Sequence, residues 1–120
     1  MRIVIPIESR TKKNSQQIIT VKGRPIIIPS KQYKAYEKQA ISYLPKIEPI
    51  DYPVNLKCTF YMGTHRQVDL SNLLSAISDT LVVGKVLKDD NSKIIVGYDG
   101  SRVEYDKENP RTEIEIEVIE

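Results

Sequence analysis

The sequence predicts an α+β fold, a small mixed or antiparallel sheet with two helices over one face, within a single domain spanning residues 1–120. Three observations carry this. Short alternating apolar runs recur along the chain, as in Val54, Leu56, Cys58 and Phe60, and again in Ile114, Ile116 and Val118. Two stretches instead repeat with helical spacing. No apolar run approaches the roughly 20 residues that span a bilayer.

The elements follow in order. Residues 2–7 place Ile3, Ile5 and Ile7 on one face of a strand, and Ser9 to Ser15 form a basic polar segment. Residues 18–21 and 25–28 flank Lys22-Gly23-Arg24 as a hairpin turned at the glycine. Ser30 is placed to cap a helix running to about Leu44, with Tyr33, Tyr36, Ala40 and Leu44 as its stripe and Pro45 as its stop. A strand at 53–61 precedes a second helix, from Asp69 to about Val83, whose buried stripe is Leu70, Leu73, Leu74, Ile77 and Leu81. Gly84 reads as its stop. Beyond the acidic turn at Lys88-Asp89-Asp90-Asn91, residues 94–98 and 102–105 read as a hairpin across Asp99-Gly100. Tyr98 and Tyr105 would pack across that hairpin, or stack on an unpaired base. Residues 112–119 form a last strand with one apolar and one glutamate face.

Composition narrows the compartment and the partners. The single cysteine, Cys58, sits in an alternating run as a buried apolar side chain, and one cysteine forms no internal disulfide. A reducing, cytoplasmic setting is expected, and the first residues read as a strand rather than a signal peptide. The net charge of +2 conceals an uneven distribution. Residues 1–66 carry 12 basic and 4 acidic side chains, a net of +8, and residues 67–120 carry 6 and 12, a net of −6. A basic half can follow a phosphate backbone and an acidic half can hold a cation, unless the fold interleaves the two.

Candidate chemistry concentrates in residues 65–92. Asp69 at a strand-to-helix junction can cap the helix, and Asp89-Asp90 can be a solvated turn. Adjacent acids repel, and a bound cation relieves that repulsion. The two acidic loci lie at opposite ends of one helix, so only the fold can bring them together. His65, the one histidine, is assigned no role.

Asp69-Leu70-Ser71-Asn72-Leu73, Asp79-Thr80-Leu81, Gly84-Lys85-Val86-Leu87 and Asp89-Asp90 resemble, in order and spacing, the core of the RusA family of Holliday-junction resolvases. Thr11 to Ser15, Gly23-Arg24-Pro25, Pro29-Ser30-Lys31 and Asp106 to Thr112 resemble segments of its prophage members, so the likeness covers nearly the whole chain. It implies a small homodimer that binds four-way DNA junctions and resolves them in recombination and repair. Paired symmetric nicks would be made with Mg²⁺ or Mn²⁺. By the same resemblance Asp69 and Asp90 match the family's metal-binding aspartates, with Asp89 beside them, and Asn72 would orient Asp69. Asp79 is retained, with a structural or a metal-binding role.

Two positions depart from the pattern. Ser71 stands where many members have a second metal-binding aspartate, and Ser75 where they have a catalytic lysine. Ser71, Ser75 and Ser78 share a helix face with Asp79 that either lines the site or faces solvent, the latter favoured for Ser78. These departures keep two alternatives open. One is a weakened or inactive branched-DNA-binding protein of the same descent; the other is a small nucleic-acid or protein-interaction module with a structural acidic turn. Lys12, Lys13 and Asn14 form a basic loop suited to phosphates, and Arg66, Lys85, Lys88 and Lys93 surround the acidic turn as DNA contacts.

Overall fold

A computed structural model of the chain describes residues 1–11, 16–29 and 31–120, with side chains for all of these except 16–19 and 27–29. Strand β1 (Arg2–Ile5) stops before Pro6, two residues short of the expected end, because proline has no N–H for the ladder. Strands β2 (Gln16–Val21) and β3 (Arg24–Pro29) form a separate two-stranded sheet. Val21 pairs with Arg24, and Lys22 and Gly23 both have positive φ, 51° and 75°. That is the two-residue turn whose twist matches a hairpin, as the glycine implied.

Helix α1 (Lys31–Ile41) buries Tyr33, Tyr36 and Ala40. Ser30, expected as its cap, lies outside the described residues. The helix ends three residues before the expected Leu44. Residues 42–44 tighten instead into bonds from each N–H to the carbonyl three back, at 3.0–3.1 Å, and Pro45 follows.

Strand β4 (Val54–Met62) is the spine of the main sheet. It pairs antiparallel with β7 (Arg111–Val118), which pairs antiparallel with β1. Val54, Leu56, Cys58 and Phe60 on β4 and Ile5 and Ile114 beside them are fully buried. Helix α2 (Leu70–Val83) closes over this face with Leu73, Ala76, Ile77 and Leu81 buried, while Leu70 and Leu74 pack half-buried at the margin. Burial pushes the Cys58 thiol up to about 12, consistent with an apolar core residue that does no chemistry. Among the described residues no helix is long and apolar enough to cross a membrane.

The expected hairpin across Asp99-Gly100 does not form. Strands β5 (Ile95–Gly97) and β6 (Arg102–Tyr105) both pair parallel with β4, one after the other along the same edge. Asp99-Gly100 makes a short excursion, with Gly100 at φ 84°, rather than a reversal. Side chains complete the interrupted ladder. The Asn55 amide donates to the Asp99 carbonyl at 3.1 Å, and its oxygen accepts from the Asp99 N–H at 2.9 Å. Ser101 Oγ accepts from the Cys58 N–H at 2.9 Å and donates to the Leu56 carbonyl at 3.1 Å. Asn55 is buried, so Asn55→Ala should leave two backbone groups unpaired and cost about 2–3 kcal/mol, read by urea denaturation.

The other face of the sheet is ionic, and here the two charge halves interleave. Glu113 on β7 accepts from Arg2 on β1 at 2.6 Å and from Arg111 Nε at 2.6 Å. Arg111 also donates to Asp106 at 2.8 Å and lies 3.8 Å over the Tyr61 ring. Arg111 holds both the Glu113 and the Asp106 carboxyls below their ordinary values. Lowered carboxylates stabilise the fold above the unfolded pKa, about 4, and that contribution is lost as pH falls through their folded values. Stability measured from pH 6 down to 3 should therefore fall, and fall less steeply in Arg111→Ala. Equal slopes would show that the network contributes nothing.

Candidate active site

Helix α2 begins where Asp69 leaves the extended conformation, at φ −95° and ψ 114°. Its Oδ1 accepts from the Ser71 N–H at 3.0 Å, satisfying a backbone donor at the helix start. The Ser71 hydroxyl donates to the same oxygen at 2.7 Å. Where the resemblance would place a second carboxylate, this chain has a hydroxyl tied to the first.

Ser71, Ser75 and Asp79 recur every four residues and so share one side of α2, spanning about 12 Å along the axis. Ser71 and Ser75 are exposed and Asp79 is half-buried. Ser78, expected to face solvent, is buried. Its hydroxyl donates to the Leu74 carbonyl at 2.7 Å, which leaves Tyr98 as the donor in the 2.7 Å bond between the two hydroxyls. Tyr98 thereby anchors the β5 edge to the helix instead of packing across a hairpin.

The far end of α2 is a close approach. Gly84 caps the helix, and a Cβ there would lie 2.4 Å from Leu44 Cδ1, so the glycine admits the Leu44 side chain from the turn after α1. The left-handed residue is Lys85, at φ 62°, rather than the glycine. Val86 N–H then reaches back to the Leu81 carbonyl at 2.9 Å, and Ile50 pairs with Leu87. The chain then enters the 89–93 turn, where the Asp79 charge reaches Asp90.

Within that turn Asp89 is internally engaged. Its Oδ1 accepts from the Asp90 N–H at 2.7 Å and its Oδ2 from the Asn91 amide at 3.2 Å. The Asn91 side chain in turn accepts from the Lys93 N–H at 2.9 Å. Asp90 is exposed, yet its carboxyl is pushed above the ordinary range, first by desolvation and then by its bond to Asp89 and the charge of Asp79. Asp90 thus feels both its neighbour Asp89 and the Asp79 charge on α2. Asp69 sits with Ser71 at the other end of α2, about 15 Å from Asp79 along the axis. No three His, Cys, Asp or Glu side chains among the described residues are grouped as a metal site requires.

Of the basic residues, Lys85, Lys88 and Lys93 are exposed around the Asp90 turn, and Arg66 is exposed just before Asp69. Lys12, Lys13 and Asn14 lie outside the described residues. His65 stacks on Tyr105 of β6, with centroids 3.8 Å apart and planes at 27°. Nothing in their spacing of forty residues signals that pair. Asn55 and Ser101 are equally silent in the sequence, since only the parallel edge gives them backbone partners.

No curated protein matches the chain. A family model described as endodeoxyribonuclease RusA matches residues 6–117, which takes in Asp69, the polar side of α2 and the Asp89-Asp90 turn together. With that match over nearly its whole length, the chain belongs to the RusA endodeoxyribonuclease family.

Proposed function

We propose that the chain is a divalent-cation-dependent endonuclease that resolves four-way DNA junctions by paired symmetric nicks. The observation that supports this best is the polar side of α2, where Asp69, Ser71 and Ser75 are exposed and Asp79 lends its charge to Asp90, in a chain of this family. The donors there are carboxylate and hydroxyl oxygens, the ligand chemistry of Mg²⁺ and Mn²⁺. The Asp90 turn fits the same reading: desolvation first, then the bond to Asp89 and the Asp79 charge, raises its carboxyl, and a cation would relieve the repulsive part.

Asp69 and Asp90 are each proposed as a cation ligand, with Asp89 fixing the turn that presents Asp90. When bound, such a cation lowers the pKa of a coordinated water and stabilises charge on the phosphate. Asp69 is oriented by the Ser71 bonds, and Asn72 follows in the first turn. Ser75 is exposed on the same side of the helix, one turn beyond Ser71. Arg66, Lys85, Lys88 and Lys93 would neutralise phosphates on either side. Paired cuts need two sites related by a two-fold axis, which a homodimer supplies.

A synthetic four-way junction tests this. Paired nicks that need Mg²⁺ or Mn²⁺ and vanish on chelation support it; no preference for the junction over linear duplex overturns it. A second reading, junction binding without cleavage, has its own support in Ser71, whose hydroxyl occupies Asp69 and adds no negative charge. Binding without nicks under either metal would establish that reading. Ser71→Asp separates the two by degree. It should lower the metal concentration for half-maximal cleavage by about tenfold, one carboxylate contact's worth, whereas an unchanged metal titration would remove Ser71 from the cation's surroundings.

A further inference from the structure

A cleft of about 380 Å³ opens between the segment after β1, the start of α1 and the β4–α2 connection. Its floor is apolar, with Met62 and Leu73 both buried. Its rim carries Arg10 and Arg66 from opposite sides, together with Gln32 and Gln67. All four rim residues are exposed. Neither guanidinium is paired with a carboxylate among the described residues. Glu8 also borders the cleft, but its Oε2 is held by the Gly63 N–H at 2.9 Å. The wall is firm behind Arg10, since Ser9 is buried and hydrogen-bonded to the hydroxyls of Tyr36 and Thr112. The connection that supplies Arg66, Gln67 and Val68 runs directly into Asp69.

Two unpaired guanidiniums facing across a polar cleft form an anion site, because each can grip phosphate oxygens through a planar fork. Neutral amides at the same rim suit sugar and base edges, where a carboxylate would repel the strand. We propose that this cleft seats one phosphodiester of the DNA strand that continues to the Asp69 end of α2. Arg10 and Arg66 hold its oxygens, and Gln32 and Gln67 contact the adjoining nucleotide. The assignment rests on the DNA-cleaving reading above. It adds Arg10, Gln32 and Gln67 as strand-positioning residues at the connection that leads into Asp69.

The test measures binding of a four-way junction by the full chain with Ca²⁺ in place of Mg²⁺, across a range of salt concentrations. Arg10→Ala should weaken binding roughly tenfold, as expected for losing a charge-assisted hydrogen bond, and should reduce the salt slope by about one. Its melting temperature should match the unaltered protein. Lys107→Ala, which removes an exposed charge in the loop before β7, should leave both unchanged. A scan placing one neutral methylphosphonate at a time along the strand should find a link that weakens the unaltered protein and leaves Arg10→Ala indifferent. If the unaltered chain binds the junction and Arg10→Ala and Arg66→Ala both bind equally well with the same slope, the cleft assignment is overturned and the nuclease reading stands. If the unaltered chain binds no DNA, both fall together.

Discussion

Asp90→Asn should reduce junction cleavage on the order of a thousandfold, the several kcal/mol that a lost cation contact removes from phosphate-ester hydrolysis. The same change should leave the fold intact. Asp90 is exposed, and its carboxyl is held above the ordinary range, so its charge is a burden to the folded state rather than a support. For a raised carboxyl the sign runs opposite to the Arg111 network: stability is greatest below the unfolded pKa and declines as pH rises through the folded value. Neutralising it should keep the melting temperature or raise it. Mg²⁺ should raise the melting temperature of the unaltered chain by mass action and do so less in the variant. Asp69→Asn gives the parallel result at the other end of α2. Asparagine caps helices as well as aspartate does, so helix content should persist while cleavage is lost. Full cleavage by either variant would remove that aspartate from the mechanism.

Leu81→Ala should be the most damaging change to the fold. Leu81 has no exposed surface, and its carbonyl receives the Val86 N–H that turns the chain toward Asp89 and Asp90. Truncating a fully buried leucine costs about 2–5 kcal/mol, the lost transfer energy plus the cavity. Against the roughly 5–15 kcal/mol that holds a domain together, this is a large share. A fall in melting temperature on the order of 10 °C or more is expected for a domain of this size. Cleavage measured well below that temperature should fall too, because the helix end that delivers Asp90 loses its seat. A variant with unchanged thermal unfolding would show that α2 does not depend on this contact. Ser78→Ala makes a useful comparison, since it unties Tyr98 from the helix without opening an apolar cavity.

Much of this arrangement is written locally. The alternation in β4 and β7, the stripe of Leu73, Ile77 and Leu81, the Gly23 turn and the Asp69 cap each depend on residues within a few positions of one another. Strand period, helix period and capping are short-range physics, so sequence alone determines them. The family pattern is also local, in order and spacing along α2 and its flanks. What the tertiary structure decided is every pairing that spans distance. Asp99-Gly100 has the composition of a hairpin turn, yet β6 lies parallel to β4 because Asn55 and Ser101 complete the edge. Ser78 reads as solvent-facing until Tyr98 arrives to bond it. The aspartates show the division most clearly. Sequence named Asp69 and Asp90; the fold put Asp69 at the start of α2 and, through the Gly84–Leu87 reversal after its end, brought the Asp90 carboxyl within reach of the Asp79 charge.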